Sequence, residues 1–410
     1  MTKYQPVAFA SRTRIAAAAA IAALGVITAL PAHAADDAVK IGLITDMSGL
    51  YADIDGQGGA EAIKMAIADF GGKVLGKPID FVSADHQNKA DVAASKAREW
   101  FDRDGVTMLV GGTNSATGLS MNTVAGEKKK VYINTGAGAD TLTNEQCTPY
   151  TIHYAYDTMA LARGTGTAVV KRGGKSWFFL TADYAFGKSL EKNTAAVVKS
   201  SGGTVVGDVL HPLNASDFSS FLLQAQASKA QILGLANAGG DTVNSIKAAK
   251  EFGINKTMQL AGLLMFISDV HSLGLEATQG MYVTDSWYWN KDDATRKFAS
   301  RFFDKTRKEP TSVQAADYSA VMTYLNAVKA VGSTDSDKVM AQIRKTKIND
   351  FYTQGGYVRE DGVMVHNMYL MQVKKPSESK EPWDYYNVVE TIPGDQAFGT
   401  KAETRCALWK

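Results

Sequence analysis

Short apolar runs alternate with apolar residues at helical spacing along most of the 410-residue chain, and this alternation constrains the fold more than any other feature. Val39-Lys-Ile-Gly-Leu-Ile-Thr45 reads as a strand, and Ala60, Ile63, Ile67 and Phe70 follow at helical spacing. The rhythm continues through Ile79–Val82, a helix through Ala93, Ala97 and Trp100, Met108–Val110, a helix near Leu119–Glu127, and Val131–Ile133. A second series begins at Ser176–Leu180 and runs through Thr204–Val209, Gln231–Leu235 and Met258–Leu260, with helical patterns between. Strand followed by helix, repeated, predicts a parallel sheet covered on both faces, so an α/β chain with two doubly wound units is expected. Near Met281–Thr284 the pattern changes to two helical stretches, about 293–306 and 313–331. Two late strands, Met368–Val373 and Tyr385–Val389, should form an antiparallel pair joined through Pro376 to Pro382.

The N-terminus reads as a secretory signal over residues 1–34. Lys3, Arg12 and Arg14 precede the apolar run Ile15–Leu30, and Pro31 and Ala32-His33-Ala34 supply a cleavage pattern. Loss of those three cations takes the formal charge from +2 to −1, which gives no reason to expect nucleic acid or an anionic membrane as partner. Export implies the periplasm or the outside. Cys147 and Cys406 are the only cysteines, and an oxidising compartment favours a bridge between them over two buried thiols.

Open α/β sheets bind ligands at the carboxyl ends of their strands, which directs attention to three loops. These are Asp46-Met-Ser-Gly-Leu-Tyr51 with Gly56-Gln-Gly-Gly59, Gly111-Gly-Thr-Asn-Ser-Ala116, and Asn134-Thr-Gly-Ala-Gly138. Small residues let backbone N–H groups approach a ligand, and helix N-termini favour an anion. Ser48, Ser115 and Thr135 are equally suited to helix capping and turn formation. None of His86, His153, His211, His271 and His366 lies at a short metal-binding spacing from another His or Cys, and no phosphate-loop or nucleophile-elbow motif is present. No metal or cofactor is expected.

Four segments together resemble the type I periplasmic solute-binding proteins of ABC importers, in the branched-chain amino acid and amide receptor group. They are Ile41-Gly-Leu-Ile-Thr-Asp-Met-Ser-Gly49, Gly111–Ser115, Asp183-Tyr-Ala-Phe-Gly187 and Ala248-Ala-Lys-Glu-Phe-Gly253. The resemblance implies two Rossmann-like lobes joined by a three-crossover hinge, closing on a ligand and docking as a monomer on an inner-membrane permease. The N-terminal lobe would comprise 36–156 and 286–355, the C-terminal lobe 157–285 and 356–390, with a tail at 391–410.

In amino-acid receptors of that group the ligand carboxylate is held by groups corresponding to Ser115, Ala137 and Gly138, Gly138 replacing a threonine. By the same resemblance and the loop positions, the expected ligand set is Ser48, Tyr51, Asn114, Ser115, Ala116, Thr135, Gly136, Ala137, Gly138, Asp157, Tyr184, Phe186, Asn237, Leu264 and Trp287. One departure decides the ligand expectation: Leu264 stands where the acid that pairs with a ligand ammonium should be. A buried ammonium without its counter-ion is costly, so an aromatic or hydrophobic carboxylate is expected, with rings around its body and Asn237 or Asp157 for ring hydroxyls. A receptor for a branched-chain amino acid or small amide is the second reading, with Asp157 or Asp241 supplying the counter-charge. A secreted α/β enzyme or a sensor domain are readings of other classes.

Overall fold

The computed structural model describes residues 38–410; the signal expected over residues 1–34 lies outside them. The strands in chain order are β1 (Val39–Thr45), β2 (Lys73–Val74), β3 (Lys77–Asp85), β4 (Val106–Val110), β5 (Val131–Asn134), β6 (Thr151–His153), β7 (Ser176–Ala182), β8 (Thr204–His211), β9 (Ile232–Ala236), β10 (Gln259–Gly262), β11 (Tyr282–Asp285), β12 (Ile348–Asn349), β13 (Gln354–Val358), β14 (Met364–Val365), β15 (Met368–Val373) and β16 (Tyr386–Ile392). The first sheet has the order β2-β3-β1-β4-β5-β6, parallel except for the β2–β3 hairpin. The second, β10-β9-β7-β8, is wholly parallel.

Alternation along the first sheet sends side chains to two separate cores. Ile44, Leu109 and Tyr132 join Trp100 and Met121 under the helices Ala90–Asp102 and Ser115–Lys128, while Leu43, Val110 and Ile133 face the opposite layer. On that side the helix Gly56–Phe70 packs against Ser312–Val331, so a segment far along the chain completes the first lobe.

The late antiparallel pair is present as β15 and β16, with β11 added as a third strand beside β15. The expected crossover after residue 355 needs correction. β13 runs through that point to Val358, pairs with β12 and β14, and packs on the helix Ser336–Lys345, while Val363 bridges His153 at the edge of the first sheet. The chain therefore stays with the first sheet to Val365. The tail begins slightly later than expected, because β16 continues to Ile392, and the expected bridge between Cys147 and Cys406 is present, with Cα atoms 5.7 Å apart. Among the described residues no helix is long and apolar enough to cross a membrane.

Candidate functional site

Strand order reverses between β1 and β4 in the first sheet and between β7 and β9 in the second, which opens a crevice at each carboxyl edge. The two crevices face each other. Tyr51, after β1, and Tyr184, after β7, meet with their hydroxyls 2.6 Å apart, and the Gly240 N–H donates to the Leu50 carbonyl at 3.2 Å. Burial pushes the Tyr51 phenol well above its ordinary range, so the pair is a neutral hydrogen bond.

Asp46 shapes the first loop: its carboxylate accepts the N–H groups of Ser48, Gly49 and Tyr51 and the Asn88 side-chain amide. That network sets the ring of Tyr51 into the cleft. The second loop turns on Gly111 and Gly112, at φ +94° and +101°, where a Cβ would lie 2.4 Å from Leu43 Cδ1 and 2.6 Å from the Tyr132 hydroxyl respectively. The turn delivers Asn114 as cap of the helix Ser115–Lys128, accepting from the Ala116 and Thr117 N–H groups. Asn114 Nδ2 stays buried without a partner among the described residues. The Ser115 hydroxyl accepts the Ala139 N–H at 3.1 Å, which leaves its own proton to donate.

The third loop is held from behind. Asn134 clasps Ala137 through its N–H and carbonyl, Tyr156 donates to the Gly136 carbonyl at 2.8 Å, and Thr135 donates to Asp317 at 2.7 Å. At Gly138 an added Cβ would stand 2.9 Å from Phe186 Cε2 and 3.1 Å from Tyr156 Cε2. Only the absence of a side chain lets the Phe186 ring lie on this loop. From there the rings continue: Tyr184 is 6.1 Å from Phe186, and Phe266 is 6.0 Å from Tyr156. Donors from the first lobe thus end against an aromatic wall supplied largely by the second.

A buried acid pair lies beneath the third loop. Asp55 and Asp317 are so close that a Cβ on Gly59 would fall 1.8 Å from one carboxyl and 2.6 Å from the other. Burial pushes Asp55 up to about 6, and burial with the Asp55 charge pushes Asp317 well above the carboxylate range, so the pair retains a proton near neutrality.

Residues 38–380 match the periplasmic binding protein family. The chain belongs to that family. A periplasmic binding protein from Burkholderia mallei is 79% identical, with TM-score 0.90 over 91% of this chain and all of that one. A branched chain amino acid ABC transporter periplasmic ligand-binding protein from Burkholderia xenovorans LB400 is 44% identical, with TM-score 0.81 over 91% of this chain and all of that one. An ABC transporter solute-binding protein from R. palustris, in complex with benzoate, is 21% identical over 90% of this chain and all of that one; its TM-score of 0.80 shows a common fold.

Within this binding protein the expected ligand residues divide. Tyr51, Asn114, Ser115, Gly136, Ala137, Gly138, Tyr184 and Phe186 gather at the facing crevices, and Leu264 lies buried in the turn after β10, near Phe266. The others have different work. The Ala116 N–H is used by the Asn114 cap, and the Thr135 hydroxyl is turned to Asp317. Ser48 donates to Asp85 at 2.6 Å in a part-exposed turn. Asn237 is fully buried between His211 and Thr242 within the second lobe. Asp157 caps Ala160, and burial pushes its carboxyl up to about 7. Trp287 donates to the Phe351 carbonyl and packs edge-on to Phe298 and Phe351, in the core of the first lobe. Tyr156 and the Asp55–Asp317 pair were not among the expected site residues. Tyr156 carries a sequence signal as the aromatic directly before the first crossover; the two aspartates, 262 positions apart, carry none.

Proposed function

We propose that this binding protein captures a small carboxylate with an aromatic or hydrophobic body between its lobes and presents it, unchanged, to the inner-membrane permease of an ABC importer. The N-terminal lobe of this proposal comprises 38–156 and 286–365, and the C-terminal lobe 157–285 and 366–392. Family membership implies a periplasmic location, and residues 1–34 are proposed as the export signal. The Ser115 hydroxyl and Asn114 amide, at a helix N-terminus, would hold the carboxylate. Tyr51, Tyr156, Tyr184, Phe186 and Phe266 would enclose its body.

One observation carries the ligand class. Gly138 gives its side-chain space to the Phe186 ring, and Leu264, buried near Phe266, stands where the family resemblance puts the ammonium partner, which favours apolar surface over a polar contact and a charge. The benzoate complex of the R. palustris relative is consistent with this choice. A branched-chain amino acid is the second reading, favoured by the 44% identical relative's name and by Asp269, whose carboxyl is buried three residues beyond Phe266 and accepts its N–H. Thermal-shift titration with benzoate, 4-hydroxybenzoate, leucine and valine separates the two. A ligand at about 100 times its Kd stabilises by about 2.7 kcal/mol, so benzoates are expected to raise Tm and the amino acids to leave it unchanged. Stabilisation by leucine or valine alone would reverse the ligand assignment, and turnover of a bound compound would replace the receptor with an enzyme.

A further inference from the structure

A second cavity of about 440 Å³ spans the two lobes. Ala52, Phe302 and Glu309 line it from the first lobe, Ser268 and Trp383 from the second. Ser115, Gly138, Tyr184 and Phe186 do not contribute to it. Its wall on the second lobe is an aromatic slab: the Trp383 indole stacks on His271 with ring centroids 3.8 Å apart and planes 4° from parallel, and His271 Nδ1 lies 2.8 Å from the Tyr385 hydroxyl. Trp383 has φ +70°, a conformation that bulky residues avoid, and its carbonyl is pinned by the Trp289 indole N–H at 2.9 Å. Backbone strain of this kind collects where a side chain must be held in a set place.

Three lysines and three acids line the cavity but do not pair one to one, since Lys64 and Lys305 both approach Glu61. Lys308 pairs with Asp53 at 2.8 Å and Lys305 with Glu61 at 3.3 Å. Glu309 has no cationic partner among the described residues, and its Oε2 is buried without a hydrogen bond. Burial, with the Glu381 charge adding to it, pushes the Glu309 carboxyl up to about 7. A half-buried carboxylate without an ion-pair partner is stabilised by an incoming cation, and an indole face attracts the same charge.

We propose that this cavity is an accessory site for a small organic ammonium with an apolar body, received by the Glu309 carboxylate and the Trp383 indole. The site does not depend on which carboxylate the main cleft holds. Because its walls come from both lobes, an occupant binds the closed arrangement better than an open one and so favours closure, and closure favours it in return.

Calorimetric titration of the protein with benzylamine, at about pH 8 so that Glu309 is ionised and the amine keeps its proton, tests the proposal. Benzylamine is expected to bind one per chain, and benzyl alcohol and benzoate not to compete for that position. Glu309→Gln should weaken benzylamine by about tenfold or more, and Phe186→Ala should leave it unchanged. Trp383→Leu, which retains the carbonyl used by Trp289, should weaken it independently of the acid. Absence of benzylamine binding, equal affinity in Glu309→Gln, or loss of binding in Phe186→Ala would overturn the site.

Discussion

The two lobes face the same cleft with different chemistry. The first lobe contributes backbone turns, a helix N-terminus and hydroxyl or amide donors, each held by a neighbour: Asn134 clasps Ala137, and Asp46 gathers three N–H groups. The second contributes Tyr184, Phe186 and Phe266. Polar contacts are directional and need donors held in place, which the bonded loops of the first lobe provide; apolar packing is less directional, and the rings of the second lobe supply it. The division suggests an order of events in which the first lobe orients the ligand and the second encloses it.

Four changes would break or sharpen that contrast. Phe186→Ala removes the centre of the apolar wall and should weaken an aromatic carboxylate by about 2–3 kcal/mol in calorimetry, with the first lobe's donors intact. Ser115→Ala removes a donor to a charged group and should cost about 1.5 kcal/mol, seen as a roughly tenfold rise in Kd, and because it also strands the Ala139 N–H it should lower the Tm of the free protein modestly. If the serine change proves the more damaging of the two, the wall is secondary and the ligand is small and polar. Next comes the acid pair beneath the third loop. Asp55 and Asp317 have folded pKa values raised above their unfolded ones, so the folded state binds more protons, and stability falls as pH rises above the ordinary carboxylate range, through about 6 for Asp55 and further still for Asp317. Asp317→Asn, which removes one titrating group and the repulsion, should flatten the dependence of Tm on pH over that window by on the order of 1 kcal/mol. Smallest is Tyr51→Phe, which deletes one inter-lobe hydrogen bond and should shift ligand affinity by about 0.5–1 kcal/mol, mostly through a faster off-rate.

Much of the fold was legible because periodicity reports burial. Strands β1, β4, β7 and β9 are apolar runs buried on both faces, as parallel strands with helices on each side must be. The two-residue strands β2, β12 and β14 are too short to carry a period, and β13 runs through residue 355, where the resemblance alone had placed a crossover. The site was legible in its loops and less so in its atoms. Asn114, Ser115 and Thr135 have the composition of both ligand donors and caps, and only tertiary partners such as Ala139 and Asp317 distinguish the uses. Trp287 was expected in the site, whereas it packs edge-on to Phe298 and Phe351.

The bond between Cys147 and Cys406 joins positions 259 residues apart in the chain, from the end of the first lobe's opening segment to the tail that follows β16. All three crossovers fall inside the resulting covalent ring. The second lobe therefore lies within a closed covalent loop whose ends meet at one point beside the first lobe. Linking such distant residues also restricts the unfolded chain strongly, so the bridge supplies part of the stability of the folded protein.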